Sequence, residues 1–313
     1  MNKTLSFPNP YWLLSETEDK QTEFVVVLVN ALMNDSVLNL VHHFFDKNNI
    51  VIGLTEVLSD KQTTEIFISE TTQNAWKIFK KLLLLTSNVG ADIFLLPISG
   101  RKKKLLVCDM DSTIVLTETL DDIAMSIGVG EQVREITFRA MQGELDFRKA
   151  LDERISLLKG ISEKLFDDVA NKVKFNYGAE KLINFAQKNG VRTVLVSGGF
   201  EPIVSIVAAK MGFDRYVCNK AEVSSGKLTG NVLEPIVDAG AKLKILQEEI
   251  KQLAILPEQT CAVGDGANDL PMLQAAGVGV GYMGKPLIRA GTPYQINFSS
   301  LESILLIMGI TVY

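Results

Sequence analysis

Leu105-Leu106-Val107-Cys108-Asp109-Met110-Asp111-Ser112-Thr113 decides the fold. A short apolar run has the texture of a buried parallel strand and ends in two carboxylates one residue apart. In an open α/β sheet, ligands gather at the carboxyl ends of the strands. Side chains at i and i+2 leave a strand on the same side, so Asp109 and Asp111 converge wherever the backbone stays extended. Like charges held that close repel, and a cation or a shared proton offsets the cost. Taken alone, the same residues also suit a plain strand-end turn with Asp and Ser as turn formers.

Three later stretches repeat the pattern of a strand giving way to a helix. Val194-Leu195-Val196-Ser197-Gly198-Gly199 precedes a helix with Pro202 in its first turn. A hydroxyl beside glycine amides at a helix start is a ready phosphate or oxyanion seat, although a plain Gly-rich connection reads the same way. Asp238-Ala239-Gly240-Ala241-Lys242 opens an amphipathic helix with Leu243, Leu246, Ile250 and Leu253 inward. A first-turn lysine opposes the helix dipole unless an anion lies near, a conflict worth under about 1 kcal/mol. Cys261-Ala262-Val263-Gly264-Asp265-Gly266-Ala267-Asn268-Asp269 is a second buried strand ending in carboxylates, with small residues that permit close backbone approach. It is no dinucleotide fingerprint, because Asp269 stands where that motif needs its third glycine.

Around these stretches strand and helix alternate. The reading is helix Ala179–Lys188 closed by Gly190, strand Val191–Val196, helix Pro202–Lys210, a hairpin around Ser224–Gly230, helix Ala241–Leu253, strand Thr260–Val263 and helix Leu270–Ala276. Between Thr113 and the first of them lie some sixty residues of helical texture. Leu116, Leu120, Ile123 and Ile127 recur at helical spacing there, as do Phe147, Leu151, Arg154 and Leu158. The prediction is a doubly wound parallel α/β sheet over 101–313, with a helical cap inserted at about 116–177. Residues 1–100 read as βαββαβ, a ferredoxin-like α+β pattern. By order of elements alone it resembles the ACT domains that sense amino acids. Those favour glycine at the first strand-to-helix turn, and Asn30-Ala31-Leu32-Met33-Asn34-Asp35 has none. A structural role, or a homodimer formed through this domain, is therefore expected ahead of a serine site.

Composition narrows the chemistry. The chain has 313 residues and a formal net charge of -5, which argues against nucleic acid or an anionic membrane surface as partner. The basic run Arg101 to Lys104 reads as a solvated linker. No apolar stretch approaches the length of a membrane span, and Met1 to Pro10 has no apolar core of a signal peptide. Three cysteines with no disulfide pattern place the chain in the cytoplasm. The only histidines are His42 and His43, so the rest of the chain has no Ser-His-Asp triad, phosphohistidine or His-built metal site. Ile114, Ser224 and Ala267 lie six residues beyond the cysteines, where a cysteine phosphatase needs arginine. What remains is carboxylates, hydroxyls, Lys, Arg and a hard cation such as Mg²⁺, which takes oxygen ligands and keeps waters.

The four stretches, in that order at successive strand ends, resemble the haloacid dehalogenase superfamily of phosphatases from Leu105 to about Gly284. The resemblance implies that Asp109 takes the phosphoryl group as an aspartyl-phosphate. Asp111 serves as acid for the leaving oxygen and then as base for water. Mg²⁺ is implied on the Asp109 carboxylate, the Asp111 carbonyl and Asp265, with Asp269 supporting its waters. Ser197, Gly198 and Asn268 are implied to touch the phosphate, and Lys242 to neutralise developing charge.

Within the superfamily the pattern is most similar to the phosphoserine phosphatases. Glu118 lies nine residues after Asp109, Arg154 forty-five after it, and Lys242 forty-five after Ser197, as in that group. The resemblance implies that Glu118 receives the ammonium and Arg154 the carboxylate of O-phospho-L-serine, with Met141 and Phe147 as an apolar wall. A guanidinium suits a carboxylate bidentately. By periodicity alone Glu118 faces solvent, Arg154 lays its stem along the core, and Met141 and Phe147 are packing residues. Hydrolysis of another small phosphomonoester, and non-catalytic amino-acid sensing, are the competing readings.

Overall fold

A computed structural model describes residues 21–30, 35–58, 63–141 and 144–310. Most of the glycine-free turn at 30–35 falls outside them. Two sheets organise the chain. The first contains β1 (Gln21–Asn30), β2 (Ile52–Val57), β3 (Thr63–Thr71) and β4 (Ala91–Pro97) in the order β2-β3-β1-β4, with every pairing antiparallel. Helices Asp35–Lys47 and Thr72–Thr86 complete the βαββαβ order. β1 carries Phe24-Val25-Val26-Val27-Leu28-Val29 fully buried, which is why a run apolar on both faces holds the centre.

The second sheet has seven strands in the order β11-β10-β9-β5-β6-β7-β8. Its members are β5 (Leu105–Cys108), β6 (Arg192–Phe200), β7 (Arg215–Ser224), β8 (Lys227–Leu233), β9 (Thr260–Gly264), β10 (Val278–Tyr282) and β11 (Tyr294–Ile296). All pairs are parallel except the β7–β8 hairpin. The chain moves outward from β5 through β6 to β8 and returns to β9 on the other side. The carboxyl ends of β5, β6 and β9 therefore flank a topological switch point.

Between β5 and helix Ala179–Lys188 (residues 109–178), the insertion carries helices Thr119–Ser126, Gly130–Met141, Phe147–Ser156 and Lys164–Lys172. Its two ends are clasped. Val115 bridges Phe175, and Asn176 Nδ2 donates to Thr113 O at 2.8 Å and Val115 O at 3.2 Å. Among the described residues no helix is long and apolar enough to cross a membrane.

Two expectations need correction. The strand expected at Val191–Val196 runs on to Phe200, with its register slipping between Val196 and Phe200, so the Ser197-Gly198-Gly199 turn is an irregularity within β6. The basic run is a solvated linker only in part: Lys102 and Lys104 are exposed, while Arg101 and Lys103 are not. Arg101 is paired with Glu65 and reaches Leu306 O, and Lys103 is buried with Nζ donating to Glu258 O at 2.6 Å. Arg101 lies at the seam between the two sheets, held by a carboxylate and a main-chain carbonyl, and Lys103 is solvated by the carbonyls of Gly100 and Glu258.

Candidate active site

Asp109 leaves β5 at its carboxyl end, with its N–H bonded to Val263 O of β9 at 2.9 Å. The next residues make one wide turn closed by Val115 N to Met110 O at 2.9 Å, in which Ser112 is left-handed at φ +58. That turn separates the two acids. Asp109 is buried at 5% exposure against β9, while Asp111 turns toward the cap. Asp111 Oδ1 accepts from Thr119 N at 2.8 Å and Oδ2 from Ser197 Oγ at 3.2 Å.

Helix Ala239–Leu253 delivers the counter-charge. Asp238 caps it by accepting from Ala241 N at 2.8 Å. Its first turn aims Lys242, wholly buried, between two acids: Nζ contacts Asp109 Oδ1 and lies 2.6 Å from Asp269 Oδ1. The clash of a first-turn lysine with the dipole is thus resolved by anions in contact with it. Gly266 N holds the other Asp269 oxygen at 3.0 Å. Gly264 is required here, since a Cβ on it would lie 2.5 Å from Asp269 Cγ.

Asp109, Asp265 and Asp269 each offer a carboxylate oxygen, all within 4.8 Å of one another and all buried. Thr113 Oγ1 donates to Asp265 Oδ1 at 3.4 Å, and Lys285 Nζ lies 3.0 Å from its Oδ2. Three acids faced by two ammonium groups leave negative charge uncompensated. An all-oxygen donor set of that charge fits a hard divalent cation such as Mg²⁺.

The electrostatics follow from burial. Burial pushes the Asp109 carboxyl well up, repulsion from Asp269 adds to it, and Lys242 opposes it. Lys242 stays charged, because the two contacting carboxylates outweigh its desolvation. Burial, with Glu118 second, pushes Asp111 up to about 6, against the pull of Thr119 and Ser197. Burial also raises Asp265, with Lys285 opposing. Two neighbouring carboxyls thus differ in environment: one faces a lysine and the acid cluster, the other a hydroxyl and an amide.

Ser197 is fully buried and its Oγ accepts from Gly199 N at 2.8 Å while donating to Asp111. Gly198 lies beneath Phe147, whose ring would stand 3.5 Å from a Cβ at that position. Glu118 begins the first cap helix and, at 44% side-chain exposure, accepts from Ser112 Oγ at 3.0 Å and Lys285 Nζ at 3.1 Å. Arg154 donates Nε to Ala150 O at 3.1 Å and has no ion pair among the described residues. Burial lowers its pKa while Asp121, Glu118 and Asp111 raise it, so its guanidinium feels the acids of the cleft. Asn268 is half-buried, and its side chain makes no hydrogen bond among the described residues. Met141 ends the helix Gly130–Met141, and its side chain lies outside the description.

Two residues escaped sequence reasoning. Lys285 follows β10, where an apolar run ending in Met283-Gly284-Lys285 was the available signal. Asn219, fully buried on β7, donates to Gly198 O at 2.8 Å and accepts from Val237 N at 2.7 Å, locking the Ser197 turn to the segment before Lys242.

Comparison with known proteins agrees with this geometry. The haloacid dehalogenase-like hydrolase family profile matches residues 106–274. The phosphoserine phosphatase of Streptococcus thermophilus is 43% identical over 206 residues, covering 66% of this chain and 96% of that protein. A haloacid dehalogenase-family hydrolase from Salmonella enterica serovar Typhi has a TM-score of 0.82 at 26% identity, over 91% of this chain and 98% of its own. A phosphoserine phosphatase solved as a phospho-aspartyl intermediate analogue has a TM-score of 0.62 at 38% identity, over 66% of this chain and 98% of its own. The chain belongs to the haloacid dehalogenase-like hydrolases, and within them to the phosphoserine phosphatase family.

Proposed function

We propose that this protein hydrolyses O-phospho-L-serine to L-serine and phosphate through a phosphoryl group carried transiently on Asp109. The observation that carries the reading is the split between the two acids: Asp109 held against Lys242, and Asp111 held by Ser197 and Thr119 with its pKa near 6. A general acid must carry a proton, and burial raises Asp111 toward that task; a nucleophile is assisted by a cation held against it, and Lys242 supplies one to Asp109.

In the first step an Asp109 oxygen bonds to phosphorus as the bond to the serine oxygen breaks, and the Asp111 proton goes to that oxygen. In the second, Asp111 as carboxylate takes a proton from water. The water oxygen bonds to phosphorus, releasing phosphate and restoring Asp109. Splitting the reaction through a covalent intermediate lowers a barrier that is very high for unassisted phosphate monoesters. Ser197, the Gly198 amide and Asn268 hold phosphoryl oxygens, and Lys242 balances the charge that shifts onto them. Asp109, Asp265 and the Asp111 carbonyl would hold Mg²⁺, with Asp269 supporting its waters; the ion supplies charge neutralisation at the phosphoryl group.

Recognition of serine follows from the cap. Glu118 offers a carboxylate to the ammonium, and Arg154, without an ion pair among the described residues, offers a guanidinium to the α-carboxylate. Phe147 lines the apolar side over Gly198, and the family resemblance assigns Met141 to the same wall. The reading includes a reducing cytoplasmic setting, in keeping with three free cysteines. It also includes a homodimer through the N-terminal sheet, in keeping with β2, whose outer edge pairs with no strand among the described residues. Phosphate release from a panel of phosphomonoesters, with Mg²⁺ and then with a chelator, tests it. Preference for phosphoserine that vanishes with the chelator is expected; equal turnover across the panel favours another phosphomonoester, and binding of serine without any phosphate release favours a sensor.

A further inference from the structure

Lys285 has no part in the reading above, yet it joins the cap to the core. Its Nζ lies 3.1 Å from Glu118 Oε1 and 3.0 Å from Asp265 Oδ2. Its main chain is pinned as well, with N–H donating to Asp265 O at 2.9 Å. Met283, two residues before, is held left-handed at φ +46, and Pro286, one after, starts helix Pro286–Gly291. What holds the ammonium of this half-exposed side chain is the pair of carboxylates, one on each side of the cleft.

The detail that matters is which Glu118 oxygen is used. Ser112 Oγ and Lys285 Nζ both donate to Oε1, and Oε2 accepts nothing among the described residues. One oxygen is clamped and the other is left with its acceptor capacity unused. Glu118 also repels Asp111 and Asp265, so without a cation at its side the carboxylate is driven outward, away from the reacting centre. A glutamate at the start of a helix has several rotamers, and holding one costs side-chain entropy.

We propose that Lys285 is a positioning residue that fixes the Glu118 carboxylate for the substrate's ammonium group. The proposal rests on the phosphoserine reading, and it makes Lys285 a determinant of specificity: by holding Oε1, it presents Oε2 to an ammonium delivered with the phosphate. Lysine suits the task because its compact ammonium has several donors and reaches two carboxylates at once.

Steady-state kinetics of Lys285→Met and Lys285→Arg, on O-phospho-L-serine and on an aryl phosphate lacking an ammonium, test it. Lys285→Met is expected to raise KM for phosphoserine about tenfold with kcat changed far less, so that preference over the aryl phosphate drops by a similar factor. Lys285→Arg is expected to recover most of that preference. In the double variant Glu118→Gln/Lys285→Met, preference is expected to fall no further than in Glu118→Gln alone, because both substitutions disable one contact. Equal losses on the two substrates, an unchanged or lower KM for phosphoserine, or additive losses in the double variant would overturn the proposal while leaving the phosphoserine reading intact. A parent protein that does not prefer phosphoserine would overturn both.

Discussion

Lys242 Nζ sits 2.6 Å from Asp269 Oδ1, and neither side chain has any exposed surface. A buried ion pair of this kind adds little net stability, because desolvation cancels most of the attraction, but removing one partner strands the other. Lys242→Met strands two carboxylates, Asp109 and Asp269. The expected loss is roughly 3–5 kcal/mol of unfolding free energy by denaturant titration, with no measurable turnover. Lys242→Met/Asp269→Asn should regain much of the stability and none of the activity. A single variant as stable as the parent would show that the lysine is not charged in the fold.

Asp111 gives a pH-dependent consequence whose sign is fixed. Its folded pKa, about 6, lies above the ordinary 3.8, so the native state holds the proton more tightly than the unfolded chain. Between those values the native state carries more protons, and stability falls as pH rises, by about 3 kcal/mol once the window is crossed. Asp109 and Asp265 shift in the same direction. Thermal unfolding in chelator should therefore show Asp111→Asn gaining on the parent from pH 4 to pH 7. Added Mg²⁺ should raise the parent's melting temperature more at pH 7 than at pH 5, since carboxylates must shed protons to bind it; saturation at a hundredfold over Kd is worth about 2.7 kcal/mol. A Mg²⁺ effect independent of pH would count against the acid cluster as its seat.

Specificity and chemistry are expected to separate at the cap. Glu118→Gln and Arg154→Ala remove the two groups assigned to serine while leaving Asp109, Asp111 and Lys242 in place. Each should cut kcat/KM for phosphoserine by about a hundredfold or more, as expected when a charge-assisted contact is lost, and spare most turnover of an aryl phosphate. Similar losses on both substrates would mean that the cap acts on the phosphoryl group itself.

Much of this site is legible from local pattern, because strand ends in an α/β sheet are marked by apolar runs stopping at polar residues. Asp109, Ser197 and Asp265 all announce themselves in that way, and the capping Asp238 announces Lys242. Long-range partners are not legible. The bonds of Asn219 to Gly198 and Val237 cross 21 and 18 residues, and that of Lys103 to Glu258 crosses 155. A charge run has no periodicity that tells a seam from solvent, so Arg101 and Lys103 read as exposed. β10 was missed for a different reason. Its Gly279 and Gly281 weaken the strand pattern: a Cβ on Gly279 would meet Leu273 O of helix Leu270–Ala275 at 2.0 Å, and one on Gly281 would meet Ile288 Cγ2 at 2.5 Å.

Gly264→Ala probes that kind of close approach inside the site. The new methyl would stand 2.5 Å from Asp269 Cγ, and Asp269 is held by both Lys242 and Gly266 N, so it has nowhere to retreat. Overpacking of this sort costs about 1–3 kcal/mol. Displacing a fixed group by an ångström costs catalysis about a hundredfold. The expected outcome is a folded protein with that loss in kcat, read by activity beside circular dichroism. Gly198→Ala differs, because its methyl meets the Phe147 ring at 3.5 Å and Val237 O at 3.8 Å, both ordinary contacts.

One acid makes four of the hydrogen bonds that fasten the N-terminal sheet to the phosphatase sheet. Asp92 on β4, 3% exposed, accepts from the amides of Asn297, Phe298 and Ser299 and from Ser299 Oγ, at 2.6–3.1 Å. Tyr294 Oη adds a bond to Leu95 O at 2.7 Å beside it. Asp92→Ala leaves three part-buried amides without their acceptor, a loss of about 1–3 kcal/mol. The two sheets should then melt as separate transitions in calorimetry, the N-terminal one first, because the seam that makes them cooperative has lost its anchor. Activity below the first transition should stay at the parent level, since Asp92 touches nothing in the cleft. A single transition at the parent temperature would mean that Arg101 and Tyr294 hold the seam without it.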